Sequence, residues 1–78
     1  MQNRVEELRT PLGLSQYRLG KKVGVSRVSI HKIETGKSVP SLKLAYDIAN
    51  VLGVCVYQVF DLDDSGRYMC DFCRKVIN

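Results

Sequence analysis

Apolar residues recur every three or four positions in several segments of the chain, which is the spacing of α-helices with one buried face. The first segment, residues 3–12, places Val5, Leu8 and Leu12 on a common face. Pro11 disfavours helical backbone at the residue before it. We therefore predict a first helix over residues 3–12 that ends early or kinks near Pro11.

Two further segments repeat one local pattern, eleven residues apart. Each opens with a serine, Ser15 or Ser26, whose hydroxyl can accept a hydrogen bond from an early backbone N–H. An apolar residue precedes each serine and another follows it four positions later, which is the arrangement of a hydrophobic staple. Glycine closes each segment, at Gly24 and Gly36. Only Gly24, Val25 and Ser26 separate the two predicted helices, so they should meet at a sharp helix-turn-helix corner.

A glycine lies in the middle of the second predicted helix. Gly20 stands between Leu19 and Val23, which form the inward stripe. Glycine at such a position costs about 1 kcal/mol relative to alanine. We expect this cost to be tolerated because another helix crosses closely at this point.

Two later helices complete a small bundle. Pro40 and Ser41 open a fourth helix, and a short fifth helix is predicted near residues 55–60. Cys55, at the cap of the fifth helix, is interpreted as a small and partly buried residue. The side chains expected to be buried from these helices are Leu42, Ala45, Ile48, Ala49, Leu52, Val56, Val59 and Phe60.

Positive charge is concentrated on the helix-turn-helix segment. The chain carries a net charge of +4, but residues 15–43 hold seven basic side chains against one acid, Glu34. A basic stretch alone is usually a solvated face, whereas one that coincides with such a motif favours an anionic partner. The outward face of the third helix, opposite Ile30 and Ile33, carries Arg27, Val28, His31, Lys32 and Thr35.

Length and composition exclude several classes of protein. The chain has 78 residues, of which 45% are apolar and 26% charged, so we expect one globular domain. The uncharged stretch 48–60 is too short to span a bilayer, and residues 1–20 contain no apolar run typical of a secretory signal. Three cysteines do not form a closed disulfide framework. We expect a soluble, cytoplasmic protein that does not contact a membrane.

Little in the chain points to catalysis. There is one histidine, His31, which we interpret as a surface side chain. No paired carboxylates share a face, and no glycine-rich phosphate loop is present. The sequence therefore predicts neither an enzyme nor a bound cofactor.

The C-terminal segment contains the pair Cys70 and Cys73, after a turn or linker at residues 61–66. Two thiolates supply half of a tetrahedral zinc site, so a metal would need a second subunit's pair. The pair could also act as a redox switch, but the sequence lacks the βαβ pattern in which such a switch usually occurs. The favoured interpretation is reduced thiols without a metal, in a tail that packs or moves freely. Apolar tail residues could bind a second subunit or another protein, namely Tyr68, Met69, Phe72, Val76 and Ile77.

An ordered set of residues carries a resemblance to a known family. It comprises Leu14-Ser15-Gln16, Leu19, Val23-Gly24-Val25-Ser26, Ile30, Lys32-Ile33-Glu34, Gly36-Lys37, Pro40-Ser41-Leu42, Ile48-Ala49, Leu52-Gly53-Val54 and Phe60. This set resembles the phage repressor and Cro type of helix-turn-helix family, the XRE family, over roughly residues 3–62. The resemblance implies an all-α, lambda-repressor-like bundle of five short helices. The DNA-binding domain would be residues 1–62, with its motif at about 15–35, followed by the tail 63–78.

The resemblance also implies roles for individual residues. Arg27, Val28 and Lys32 match the positions that read base edges. Gln16 matches a position that contacts phosphate and supports a base-reading side chain. Ser26, Ser29, Lys37 and Ser38 match phosphate positions. Arg9 and Glu34 match an ion pair between the first and third helices, which would keep the acid away from DNA.

Three residues depart from the family pattern. Arg18 replaces an acid, Gly20 replaces alanine, and Pro11 interrupts the first helix. We expect Gly20 and Pro11 to lower stability more than function.

Two functions stay open on the sequence. The first is a sequence-specific transcriptional regulator, expected to be a repressor, that binds a double-stranded operator as a homodimer through its fifth helix and tail. The alternative is an antitoxin-like or other protein-interaction module in which the tail binds a protein partner.

Overall fold

The computed structural model describes residues 1–69, so Cys70 and Cys73 lie outside the described residues. Within residues 1–69 the regular structure is helical, as predicted. The helices are α1 (Val5–Arg9), α2 (Gln16–Val23), α3 (Arg27–Glu34), α4 (Leu42–Leu52) and α5 (Val56–Val59), with a 3₁₀ turn at Thr10–Leu12. None of these helices is both long and apolar enough to cross a membrane.

Serine side chains cap the N-termini of three helices, α2, α3 and α4, as the sequence predicts. The Ser15 hydroxyl accepts a hydrogen bond from the Arg18 backbone N–H at 3.0 Å, and the Ser26 hydroxyl accepts one from Ser29 at 3.1 Å. Ser41 caps α4 in the same way. Each bond satisfies one of the backbone donors that a helix start leaves free.

The first helix ends early, which confirms the effect expected of Pro11. The α-helical part stops at Arg9, and Pro11 lies inside the following 3₁₀ turn. Leu12 is 54% exposed, so its predicted place on the inward face is wrong. The spacing of 3.6 residues per turn that placed Leu12 with Val5 does not extend through the 3₁₀ turn, which has about three residues per turn.

A single apolar core lies between the helices. The prediction for α4 is wrong at Leu42, which is 84% exposed. Leu42 is the first residue of α4, and the buried stripe begins one turn later at Ala45. The core side chains are Val5, Leu19, Ile30, Ile33, Ala45, Ile48, Ala49, Leu52, Val59 and Phe60.

Gly20 permits the tight corner between α2 and α3. A Cβ at this position would lie 2.6 Å from the Val25 carbonyl oxygen and 3.3 Å from the Ser26 carbonyl carbon. The Val25 backbone N–H also donates to the Gly20 carbonyl at 2.9 Å. The group that approaches Gly20 is therefore the backbone of the turn, not the crossing helix that the sequence suggested.

The two ends of the described chain pack together. Asn3 and Phe60 form an isolated antiparallel bridge, and the Asp61 backbone N–H donates to the Gln2 carbonyl at 3.0 Å. The buried Asp61 carboxylate accepts from the Gly66 backbone N–H at 3.0 Å, which closes a turn over residues 61–66. Residues beyond position 62 also contact the bundle. The guanidinium carbon of Arg4 lies 5.5 Å from the centroid of the Tyr68 ring.

Candidate nucleic-acid interface

Helix α3 presents a ridge of exposed side chains. Its inward residues Ile30 and Ile33 are buried at 0% and 3% exposure, which anchors the helix to the core. The opposite face is open to solvent along its whole length. The exposed side chains on it are Arg27, Val28, His31, Lys32 and Thr35.

The segment after α3 is held against the last helical turn. The backbone N–H groups of Lys37 and Ser38 both donate to the Lys32 carbonyl, at 2.9 and 3.2 Å. Gly36 adopts a φ of 77°, in the left-handed region that glycine reaches readily. The Lys37 side chain is exposed next to the ridge, and Ser38 is half-buried.

The positive charges of this surface are not neutralised by carboxylates. Within residues 1–69 the ion pairs involve Arg4, Arg9 and Lys43. Arg27, Lys32 and Lys37 make none there. No acidic residue occupies the first turn of α2 or α3, so the positive ends of both helix dipoles add to the field.

The two serines at the start of α3 bind each other. The Ser26 hydroxyl donates to the Ser29 hydroxyl oxygen at 3.2 Å while it accepts from the Ser29 backbone N–H. A hydroxyl has one proton to donate. In this arrangement the Ser29 proton is the one that an external acceptor can use.

A buried ion pair joins α1 to the end of α3. Arg9 Nε lies 2.6 Å from one Glu34 oxygen, and its Nη2 lies 3.2 Å from the other. The two side chains are 12% and 7% exposed. Arg9 also donates to the Leu14 carbonyl at 3.1 Å. The hydrogen bond that Arg9 donates to Glu34 raises the pKa of Arg9, so the guanidinium stays charged.

Gln16, the first residue of α2, extends this pair toward the ridge. Its Nε2 donates to Glu34 Oε1 at 2.9 Å and lies 3.4 Å from His31 Nδ1. Both amide N–H groups are therefore directed at α3, and the side chain is half-buried. Among the residues of the sequence prediction, the structure thus brings together Arg9, Gln16 and Glu34.

Sequence reasoning missed Asn3. Its Nδ2 donates to the Ile33 carbonyl at 2.9 Å, and its Oδ1 accepts from the Val5 backbone N–H at 3.1 Å. The first bond gives a second donor to a carbonyl in the last turn of α3, which already accepts from the Gly36 backbone N–H at 3.1 Å. An asparagine just before a helix is a local sign of the capping role, but the contact with α3 is not visible in the sequence.

A metal centre is not formed by residues 1–69, where no group of three or more His, Cys, Asp or Glu side chains could hold an ion. Cys55 is half-buried at the start of α5, as predicted. The pair Cys70 and Cys73 lies beyond the described part of the chain.

Comparisons with known proteins agree with this geometry. A helix-turn-helix family model matches residues 5–55. An uncharacterised HTH-type transcriptional regulator of Archaeoglobus fulgidus is 45% identical over 64 residues, which cover 82% of this chain and 91% of the relative. The HTH-type transcriptional regulator YgzD of Bacillus subtilis is 44% identical, over 82% of this chain and 97% of the relative.

A solved structure shows the same arrangement of helices. A chain in the complex of the SinR and SinI proteins superposes with a TM-score of 0.69 and 25% identity, over 95% of this chain and 71% of that chain. The fold and the sequence relatives confirm the family that the sequence resembles. The chain belongs to the XRE-type helix-turn-helix family of DNA-binding transcriptional regulators.

Proposed function

We propose that this protein is a sequence-specific, cytoplasmic transcriptional repressor that inserts α3 into the major groove of double-stranded DNA. The observation that carries the proposal is the exposed ridge of α3, backed by the buried Ile30 and Ile33. The major groove of B-DNA is about 12 Å wide and admits one helix. A helix held rigidly by its inner face and free on its outer face meets that requirement.

Three side chains on the ridge are suited to reading bases. The Arg27 guanidinium can donate two hydrogen bonds to O6 and N7 of a guanine. Val28 is 53% exposed, and its methyl groups can pack on the methyl group of a thymine. Lys32, one turn further along, adds a charged donor for a second guanine.

Other residues are suited to the phosphate backbone. Lys37 supplies an exposed charge, and Ser29 supplies the available hydroxyl proton of the Ser26–Ser29 pair. Ser38 lies beside Lys37 and adds a hydroxyl. Gln16 acts mainly as a support, because both of its amide protons are directed at Glu34 and His31.

The test separates base contacts from phosphate contacts. Bound duplexes are selected from a random pool, and affinities are then measured by mobility shift over a range of salt concentrations. Arg27→Ala should cost about 1–3 kcal/mol and relax the preference at one base position. Lys37→Ala should weaken binding to all duplexes alike and reduce the slope of log K against log salt by about 0.9.

Lys22→Ala is the matched control, since Lys22 is an exposed lysine in the last turn of α2 and does not belong to the ridge of α3. It should leave the base preferences unchanged. Equal losses for Arg27→Ala and Lys37→Ala on every duplex would contradict the assignment of Arg27 to a base.

Binding as a homodimer is part of the proposal. Half-sites of a two-fold operator lie about 34–36 Å apart, one helical turn of DNA, so one recognition helix cannot read both. Exposed apolar side chains at α4 and α5 support a self-association surface there: Tyr46 is 57% exposed and Tyr57 is 47% exposed. A cavity of about 180 Å³ lies between these helices, lined by Tyr46, Ala49, Asn50, Val54, Cys55 and Val56.

Sedimentation equilibrium tests this surface. Tyr57→Glu should shift the chain toward monomer and weaken binding to operators with two half-sites more than binding to one half-site. Tyr17→Glu places the same charge on an exposed tyrosine of α2 and should leave the oligomeric state unchanged. Dimers of equal strength in both variants would place the interface elsewhere.

A protein partner is the second candidate function, in the manner of an antitoxin. It is supported by the likeness to a chain in a complex of two proteins, SinR and SinI. The tail would carry this contact. Removal of residues 70–78 spares the contacts of Asp61 and Tyr68 with the N-terminal segment. Duplex binding that survives this truncation supports DNA binding as the function of the bundle itself.

A further inference from the structure

His31 is exposed on the ridge of α3, yet its ring is tethered on one side. The sequence gives it no role beyond a surface position. In the structure its Nδ1 lies 3.4 Å from Gln16 Nε2, and Gln16 belongs to a different helix. Within residues 1–69 its other ring nitrogen, Nε2, has no hydrogen-bond partner.

A chain of hydrogen bonds sets the tautomer of this imidazole. The Glu34 carboxylate can only accept, so the Gln16 atom 2.9 Å from it is the amide nitrogen. That nitrogen is also the atom that faces His31 Nδ1, which must therefore accept. A neutral imidazole that accepts at Nδ1 carries its proton at Nε2. The buried Arg9–Glu34 pair thus determines, through Gln16, that His31 offers an Nε2–H donor.

We propose that His31 reads a base edge in the major groove by donating its Nε2–H to a base acceptor. This inference rests on the proposed binding of α3 in that groove. His31 follows Arg27 by four positions and Val28 by three, so it shares their stripe on the helix. One helical turn rises 5.4 Å, and base pairs are about 3.4 Å apart. His31 therefore contacts a base pair one or two steps from those of Arg27 and Val28.

The donor defines the base that His31 rejects. Guanine presents O6 and N7 as acceptors in the major groove, adenine presents N7, and thymine presents O4. Cytosine presents only its N4 amino group, which is a donor. His31 thus discriminates against cytosine at one position of the contacted strand. The tether to Gln16 strengthens the discrimination, because the ring loses less rotational freedom on binding.

Parallel selection from a random duplex pool tests the proposal with the wild-type chain, His31→Ala and the control Lys22→Ala. One neutral hydrogen bond corresponds to about a 2- to 12-fold preference, from its usual 0.5–1.5 kcal/mol. The wild type and Lys22→Ala should disfavour cytosine at one position by about that factor. His31→Ala should accept all four bases there and keep every other preference. Because His31 is exposed, its truncation should leave the thermal midpoint unchanged.

Gln16→Ala tests the positioning step. It should weaken the preference at the His31 position while the preference at the Arg27 position persists. In His31→Ala, the further change Gln16→Ala should have no effect on that base position.

Three results separate the possible failures. If His31→Ala keeps the wild-type preferences at every position, the proposal is overturned. A uniform loss on all duplexes would make His31 a phosphate contact and would also overturn it. If the wild-type chain enriches no duplex at all, the proposed function fails together with the role of His31.

Discussion

Replacement of Glu34 by alanine should destabilise the fold more than any change on the DNA-binding ridge. Glu34 accepts two hydrogen bonds from Arg9 and one from Gln16, and its side chain is 7% exposed. Without it, the Arg9 guanidinium, 12% exposed, keeps the Leu14 carbonyl and a longer ion pair, at 3.8 Å, with the exposed Glu6 carboxylate. The substitution therefore leaves a nearly buried positive charge whose remaining counter-charge, Glu6, is exposed and makes no hydrogen bond with it.

The expected cost follows from this burial. Removal of one partner from a buried ion pair costs about 3–5 kcal/mol. Arg9 retains one carbonyl and some solvent access, so we expect the lower end, about 3 kcal/mol. In a domain of this size each kcal/mol lowers the melting temperature by roughly 4–8 °C, which gives a fall of about 12–24 °C. Glu34→Gln keeps the shape and one acceptor, so it should cost about half as much.

Urea denaturation followed by circular dichroism at 222 nm measures these losses. Arg9→Met, Glu34→Leu and the double variant Arg9→Met/Glu34→Leu complete the comparison. The double variant should recover most of the stability lost in Glu34→Ala, because apolar side chains of similar size replace a buried pair at little cost. Glu7→Ala is the control. It breaks the exposed Arg4–Glu7 pair, in which Glu7 is 66% exposed, and should cost about 0–1 kcal/mol.

If Glu34→Ala costs no more than Glu7→Ala, the pair of Arg9 and Glu34 does not stabilise the fold beyond an exposed ion pair. Additive losses in Arg9→Met and Glu34→Leu would contradict the pair as well, since residues in one buried network must couple.

Three further perturbations have defined outcomes. Gly20→Ala should lower the urea midpoint, because an overpacking cost of about 1–3 kcal/mol exceeds a gain in helix propensity of just under 1 kcal/mol. A higher midpoint would mean that the turn at Val25 moves freely to make room for the methyl group. Ser26→Ala removes the cap of α3 and should cost about 1 kcal/mol in the same assay, whereas a neutral effect would show that water replaces the hydroxyl. Burial, with a smaller contribution from Asp61, raises the pKa of Tyr68 above its ordinary value of 10.0. The folded state thus favours the neutral phenol, so the free energy of unfolding should fall as pH rises above 10.0. Tyr68→Phe should reduce this fall. If the stability of Tyr68→Phe depends on alkaline pH as the wild type does, Tyr68 is not its cause.

The helix boundaries could be predicted from the sequence because caps act locally. Ser15, Ser26 and Ser41 each bond a backbone N–H three residues later, so nothing beyond one turn is needed. Gly24 and Gly53 end their helices with φ of 83° and 75°, which depends on their own backbone. The exposed placement of Arg27 and Lys32 followed from helical periodicity for the same reason.

Burial at the helix ends could not be predicted in this way. Leu12 and Leu42 fit the apolar periodicity, yet both are exposed. Periodicity gives the direction of a side chain but not whether another element covers it. Gly20 shows the same limit, because the Val25 carbonyl that excludes a Cβ approaches only when the corner closes.

The sequence by itself determined the helices, the corner between α2 and α3, and the charged outer face of α3, because each depends on residues within a turn or two. Only the tertiary structure decided how that face is supported. Asn3 reaches the end of α3 across 30 residues, and Gln16 joins Glu34 to His31 across 18 and 15 residues. Such contacts exist only after the chain has folded. Directional hydrogen bonds between distant residues leave no periodic trace in the sequence, whereas caps and apolar stripes do.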